Sequence, residues 1–327
     1  MALAPLRIDE RFLPNRDGWM LHLKRTVAEG RPLEARRPVL IVPGYGMNAF
    51  LFGFHPDGRS LERSLAEAGL EVFSVNLRGQ RPSRPLGPGS APPSLRALAE
   101  EDLEAAIAGT LAESRTGAQD VVVIGCSLGG SLAYAHMALR PDHRIGALVA
   151  MGSPLRWETI HPLLKMAFRS PELVGSIPIV GTRRLVKAAV PLVKRVPGAL
   201  DFYMNTQHVD LRFLKDMTQT VEDPHPRVNK DIARWMNARD MVLRGVNVSE
   251  ALAQARQPLL VVTANRDGIV PQRAALSALD AWGGTDKDAW EFGDADTWFA
   301  HADLFVGRTT PEVVFAPLIS WLREYAG

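Results

Sequence analysis

Residues 121–130 read VVVIGCSLGG, a β-branched, apolar run that ends in a glycine-framed serine and passes directly into SLAYAHMAL. Such a run suits a strand buried on both faces, and the segment after it has helical spacing. At the junction, Gly125-Cys126-Ser127-Leu128-Gly129 fits Gly-x-Ser-x-Gly with Ser127 in the centre. A tight strand-to-helix turn strains its central residue and exposes that side chain at the carboxyl end of a sheet. Gly125 and Gly129 leave room for the backbone approach such a turn needs, and Gly130 loosens it further. Ser127 is therefore the expected nucleophile. Cys126, one place off the apex, is expected to point into the packing around the turn as a small buried hydrophobe.

Outward from this turn, short apolar runs alternate with helical patterns, as strand-helix units of a mostly parallel sheet do. Strands are expected at Val39–Val42, Glu71–Asn76, Val121–Gly125, Ala147–Met151, Leu259–Thr263 and Ala289–Phe292. Helices are expected over Ser60–Gly69, closed by its glycine, and over Leu95–Ser114. In RFLPNRDGWMLHLKR, the turn formers Asn15 and Asp17-Gly18 predict an opening hairpin at the sheet edge. From about Pro154 to Ala255 the strand rhythm stops and the chain becomes helical and Pro-punctuated. The expected division is an α/β core over 1–154 and 256–327, with a helical cap inserted at 155–255.

Composition agrees with a globular protein of this kind. The 327 residues are 46% hydrophobic and 23% charged, with a formal charge of +2, too mild to argue for a nucleic-acid partner. Neither a signal-peptide core in the opening MALAPLRIDERFLPNRDGW nor an 18-residue uncharged apolar run is present, so a cytoplasmic, non-spanning protein is expected. The single cysteine excludes an intramolecular disulfide framework and any multi-cysteine metal site; neither zinc nor any other cofactor is expected. No P-loop is present, and no Gly-x-Gly-x-x-Gly follows the first strand, which excludes the common nucleotide-binding designs.

A serine hydroxyl needs a base to take its proton and a third group to orient that base. With the serine on a strand-helix elbow, the expected chain order is Ser, then Asp or Glu, then His. In PLLVVTANRDGIVP, Asp267 falls in the turn after Leu259–Thr263, where catalytic loops gather. It is the expected acid, with Asp294 and Asp296 as weaker competitors and Asp303 as a support for the loop. Of eight histidines, only His301 follows Asp267, making it the expected base. His22, His136, His161, His208 and His225 are read as surface or packing residues, and His55 as a minor candidate for substrate contact. Two backbone N–H groups must converge on the tetrahedral oxyanion. Leu128, just after the nucleophile, supplies one, and the PGYGMN loop the other, from Tyr45 with Met47 in reserve.

Together these residues resemble an α/β-hydrolase over roughly residues 10–154 and 256–327. Within that superfamily DGWMLHLKR, RPVLIVPGYGMN, SLAEAGLEVFSVNLRGQRPSR and TGAQDVVVIGCSLGG are similar to the acid-lipase-like branch, and HADLFVG resembles a His-x-Asp segment shared with polyhydroxyalkanoate synthases. The resemblance implies Ser127, Asp267 and His301 as triad and Tyr45 and Leu128 as oxyanion donors. Two departures stand out. Pro43 replaces the histidine of those lipases, and the synthases carry at the apex the cysteine that stands here at 126.

In the cap, SIPIVGTRRLVKAAVPLVKRVPG interleaves apolar residues with Arg183, Arg184, Lys187, Lys194 and Arg195. It reads either as an amphipathic helix with solvated charges or as a lid that touches an anionic lipid surface or an acidic substrate. Trp157, Met166, Phe168, Trp235 and Met236 either line an apolar acyl pocket or only pack the cap on the core. The expected activity is hydrolysis of a lipid-like or acyl ester, a small-molecule substrate. An acyltransferase or thioesterase with the same triad is the alternative, and a silent hydrolase-fold binding protein the third reading. Dehalogenase or epoxide hydrolase chemistry would want a carboxylate where Ser127 stands.

Overall fold

The computed structural model describes residues 3–193, 195–196 and 198–327. Lys194, one of the basic residues singled out in the cap, lies outside them. The strands are β1 Leu6–Pro14, β2 Trp19–Ala28, β3 Val39–Val42, β4 Val72–Asn76, β5 Arg84–Pro85, β6 Val121–Cys126, β7 Ile145–Met151, β8 Val242–Leu243, β9 Val246–Asn247, β10 Leu259–Ala264 and β11 Lys287–Phe292. The helices are α1 Leu61–Glu67, α2 Leu95–Ala97, α3 Leu103–Glu113, α4 Leu128–Leu139, α5 Pro162–Ala167, α6 Pro171–Ser176, α7 Thr182–Val193, α8 Leu214–Met217, α9 Pro226–Ala238, α10 Val248–Ala251, α11 Gln272–Ala281, α12 Asp303–Val306 and α13 Ala316–Ala326.

The main sheet runs in the order β1-β2-β4-β3-β6-β7-β10-β11, with β5 on β2 and a separate β8-β9 hairpin. From β4 to β11 every pairing is parallel, whereas β1 with β2 and β2 with β4 are antiparallel, so the opening hairpin forms one edge as its turn residues predict. Alternate residues of each central strand feed two separate cores. Leu40, Val42, Val121 and Val123 join α3, α4 and α11 on one face, while Val39, Ile41, Val122 and Ile124 join α1 and α13 on the other. Burial on both faces is why these strands read as unbroken apolar runs.

The first expected helix begins where Ser60 Oγ accepts the Arg63 N–H at 3.3 Å and ends before Gly69, whose φ of +84° continues no right-handed helix. The second differs from a regular helix: a π-helical stretch, Leu98–Asp102, separates α2 from α3. There the Asp102 carboxylate is fully buried and accepts the Arg78 backbone N–H (2.9 Å), its Nε (2.9 Å) and its Nη2 (2.6 Å). That ion pair ties the loop after β4 to the helical layer.

Between β7 and β10 the chain carries α5–α10. Its last part packs on the core: Val228, Ile232, Trp235, Met236, Val248 and Leu252 are buried in one cluster with α4 and α11 side chains. The exposed portion is the stretch containing α5–α7. Among the described residues, no helix is long and apolar enough to cross a membrane.

Candidate active site

β6 delivers Ser127 with φ +54° and ψ −124°, a backbone state costly for a residue with a Cβ. The turn closes by hydrogen bonds from Ser127 N–H to Met151 O at 2.8 Å and from Gly130 N–H to Ser127 O at 3.1 Å. A methyl group on Gly125 would overlap Gly130, and one on Gly129 would overlap the Val42 carbonyl. Gly130 thus does not loosen the turn, as read from sequence; its bare Cα is what lets the strand and helix touch. The Ser127 side chain makes no capping bond to α4. Cys126 is buried among apolar side chains, and burial pushes its thiol well up, away from the reactive thiolate.

Asp267 follows β10 and His301 follows β11. His301 Nδ1 lies 2.6 Å from Asp267 Oδ2, with both side chains almost wholly buried. The other carboxylate oxygen, Oδ1, accepts the Ile269 and Val270 N–H groups at 2.8 Å each. The acid is thereby held at both ends. The serine and this pair flank the end of β7: Met151 holds the Ser127 N–H, while a methyl on the next residue, Gly152, would lie 3.0 Å from His301 Cε1 and 3.4 Å from Asp267 Oδ2. The adjacent ends of β6, β7, β10 and β11 therefore gather serine, imidazole and carboxylate, with a hydrogen bond joining the last two.

The PGYGMN loop presses on the turn, since a methyl on Gly44 would lie 2.8 Å from Ser127 Cβ and 2.9 Å from Cys126 O. Tyr45 anchors that loop through its hydroxyl, which donates to Asn229 Oδ1 at 2.6 Å. Among the described residues, neither the Tyr45 N–H nor the Leu128 N–H donates to a backbone carbonyl. Leu128 also opens the twelve-residue α4, whose amino end favours negative charge. Met47 instead sits in a bridge with Val221.

Beside this group lies a cavity of ≈ 600 Å³, within the roughly 300–1,000 Å³ typical of small-molecule sites. Tyr45, Val186, Val190, Tyr203, Met217 and Ala302 are among its lining residues, so it reaches from the glycine loop to the neighbour of His301. Of the five side chains weighed from sequence as a pocket lining, none is in this wall. Trp157 and Trp235 pack edge to face at 5.4 Å and are buried with Met236; Phe168 stands against Tyr45, and Met166 is exposed. Both ring nitrogens of His55 are engaged, Nδ1 with Asp57 and Nε2 with Gly307 O. Asp294 is occupied by the N–H groups of Asp296 and Thr297 in an exposed loop.

Some site residues carry no sequence signature. Tyr203 O accepts the Ala302 N–H at 2.8 Å, and Asn205 N–H donates to Asp303 Oδ2 at 2.8 Å. These contacts clamp the histidine loop to the segment between β7 and β10. Asp303 Oδ2 also takes the Ala300 N–H at 2.6 Å, but Oδ1 is buried without a partner. Burial, with the nearby Asp267 charge, pushes the Asp303 carboxyl up to about 7 against the pull of its two N–H donors. Glu222 gathers Asn48, Arg81 and Arg183, and Asp223 accepts the Gly181 and Thr182 N–H groups, fixing the start of α7.

A model of the alpha/beta hydrolase family matches residues 39–317, which spans both the serine turn and the histidine loop. The chain belongs to the alpha/beta hydrolase family. No curated protein sequence matches this hydrolase. Its fold is similar to that of a soluble variant of monoglyceride lipase from Saccharomyces cerevisiae, with a TM-score of 0.63 and 15% identity over 100% of this chain and 97% of that one. It is similar to a thermophilic esterase from Thermogutta terrifontis, at 0.60 and 19% over 98% and 100%. A hydrolase from Pseudomonas aeruginosa PA01 is similar at 0.60 and 16% over 96% and 98%. The enzyme is thus a hydrolase with the sheet and flanking helices of that fold.

Proposed function

We propose that this hydrolase cleaves a carboxylic ester with an apolar acyl group through an acyl-enzyme on Ser127. The observation that carries the reading is the 2.6 Å bond fixing His301 Nδ1 on Asp267 at the strand ends where Ser127 stands. With Nδ1 so engaged, Nε2 is the nitrogen left to act as base. Ser127 Oγ attacks the ester carbonyl carbon as His301 takes its proton. The carbonyl oxygen becomes the oxyanion, held by the Tyr45 and Leu128 N–H groups. Collapse expels the alcohol, which takes the proton from His301, and water activated by the same imidazole then releases the acid.

The segment 155–255 is read as a cap, with the acyl chain in the ≈ 600 Å³ cavity beneath α7. Apolar walls supply binding energy of about 0.8 kcal/mol per buried methylene, and water exclusion strengthens the oxyanion contacts. Fluorophosphonate labelling tests the reading. Wild type and Cys126→Ala label and Ser127→Ala does not; an unlabelled wild type, or labelling lost in Cys126→Ala, overturns it.

A further inference from the structure

Among the described residues, seventeen large apolar side chains are exposed, and eleven of them fall between Leu163 and Phe202. A soluble monomer does not gather exposed apolar surface in this way without a use for it. The same stretch of chain is strongly cationic. Residues 163–202 contain seven Lys and Arg against two acids, Glu172 and Asp201, whereas the whole chain is only +2. Glu172 is itself paired with Lys230 and Arg234.

Helix α7 shows how the two properties combine. Its start is held by Asp223 and by the Arg183–Glu222 pair, and Thr182, Val186, Ala189 and Val190 line the cavity. At 100° per residue, Leu185 and Leu192 fall within about 20° of each other around the helix. They are 67% and 65% exposed and line no part of the cavity. Arg184, about 100° around the helix from Leu185, is exposed on their flank, and Lys187, about 160° around, is exposed on the far side. Val186 and Phe202 are exposed and also line the cavity, so its mouth opens inside the apolar surface.

We propose that this face of the hydrolase docks on an anionic lipid bilayer, with Leu185 and Leu192 entering the headgroup boundary and Arg184, on the flank beside them, meeting lipid phosphates. Interleaved apolar and basic side chains suit that partner. A second copy of the same chain fits less well, because a two-fold contact would set this cationic face against itself. Docking would place the cavity mouth against the membrane, where a lipid acyl chain enters without crossing water. That delivery step rests on the ester reading above; the docking itself does not.

The experiment is co-sedimentation with vesicles of phosphatidylcholine alone and of phosphatidylcholine with a quarter phosphatidylglycerol. Wild type and Ser127→Ala are expected to sediment alike with the anionic vesicles, more weakly with the neutral ones, and less as salt rises. Arg184→Glu, a change of two charge units, is expected to bind the anionic vesicles about thirtyfold more weakly, and Leu185→Ser/Leu192→Ser to bind both kinds more weakly. Both variants should keep the wild-type melting temperature and the wild-type rate on a water-soluble short-chain ester. Absence of binding to either vesicle overturns the proposal, as does binding that neither variant changes. A wild-type dimer that Leu185→Ser/Leu192→Ser turns into monomer, with no vesicle binding, transfers the face to self-association. Vesicle binding by an enzyme that fluorophosphonate does not label leaves the docking standing and removes the ester chemistry.

Discussion

Ser127→Gly and Ser127→Ala both remove the hydroxyl, yet only the first relieves the turn. At φ +54° and ψ −124° a Cβ-bearing residue carries strain of about 1–3 kcal/mol, which alanine keeps and glycine loses. Glycine also frees the unfolded chain, at a cost of about 0.4–1 kcal/mol. Taking the middle of both ranges, Ser127→Gly should be about 1 kcal/mol more stable than Ser127→Ala. Unfolding entropy scales with length, so for 327 residues each kcal/mol moves the melting temperature by about 1.5 °C. Scanning calorimetry of the two inactive variants in one buffer should therefore place the glycine form about 1–3 °C higher. A glycine form melting at or below the alanine form would show that the protein spends no stability on holding its serine in this geometry.

Other outcomes follow from the same contacts. Gly129→Ala drives a methyl into the Val42 carbonyl and Gly125→Ala drives one into Gly130, so each should cost roughly 1–3 kcal/mol or more and lower the melting temperature. Cys126 should resist a thiol reagent such as Ellman's in the native protein and react at once in denaturant, since it is buried with its thiol pushed up. Asp303 is raised in the folded state to about 7, so its contribution to stability is complete below the unfolded value near 4 and is lost as pH climbs through 7. Melting curves from pH 4 to 8 should fall more steeply for wild type than for Asp303→Asn; parallel curves would refute the assignment. Glu222→Gln releases Arg81 and Arg183 from a buried carboxylate, and should raise KM for a long-chain ester more than it lowers kcat.

Much of this architecture was legible without coordinates. The strands at Val39–Val42 and Val121–Cys126 announce themselves as apolar runs, and the glycines at 125 and 129 mark the turn between β6 and α4. These features depend on residues within a few positions of one another, because strand pleat, helix period and turn sterics are local. The regular helix expected over Leu95–Ser114 was not fully local: its π-helical stretch lies where Asp102 meets Arg78, a partner from another part of the chain.

The proposed triad, Ser127, Asp267 and His301, and the proposed oxyanion donors Tyr45 and Leu128 were read from sequence because motif and chain order constrain them. Which carboxylate meets His301 was decided by the sheet, whose adjacent β10 and β11 close a separation of 34 residues and leave Asp294 and Asp296 in a solvent loop. The cavity wall was likewise a tertiary matter. Trp235 and Met236 carry the same apolar signal as Val190 and Met217, but packing sends the first pair into the core and the second pair to the cavity. Periodicity states that a side chain is apolar, and only the neighbours brought from distant chain segments decide whether it meets a packed interior or an open cavity.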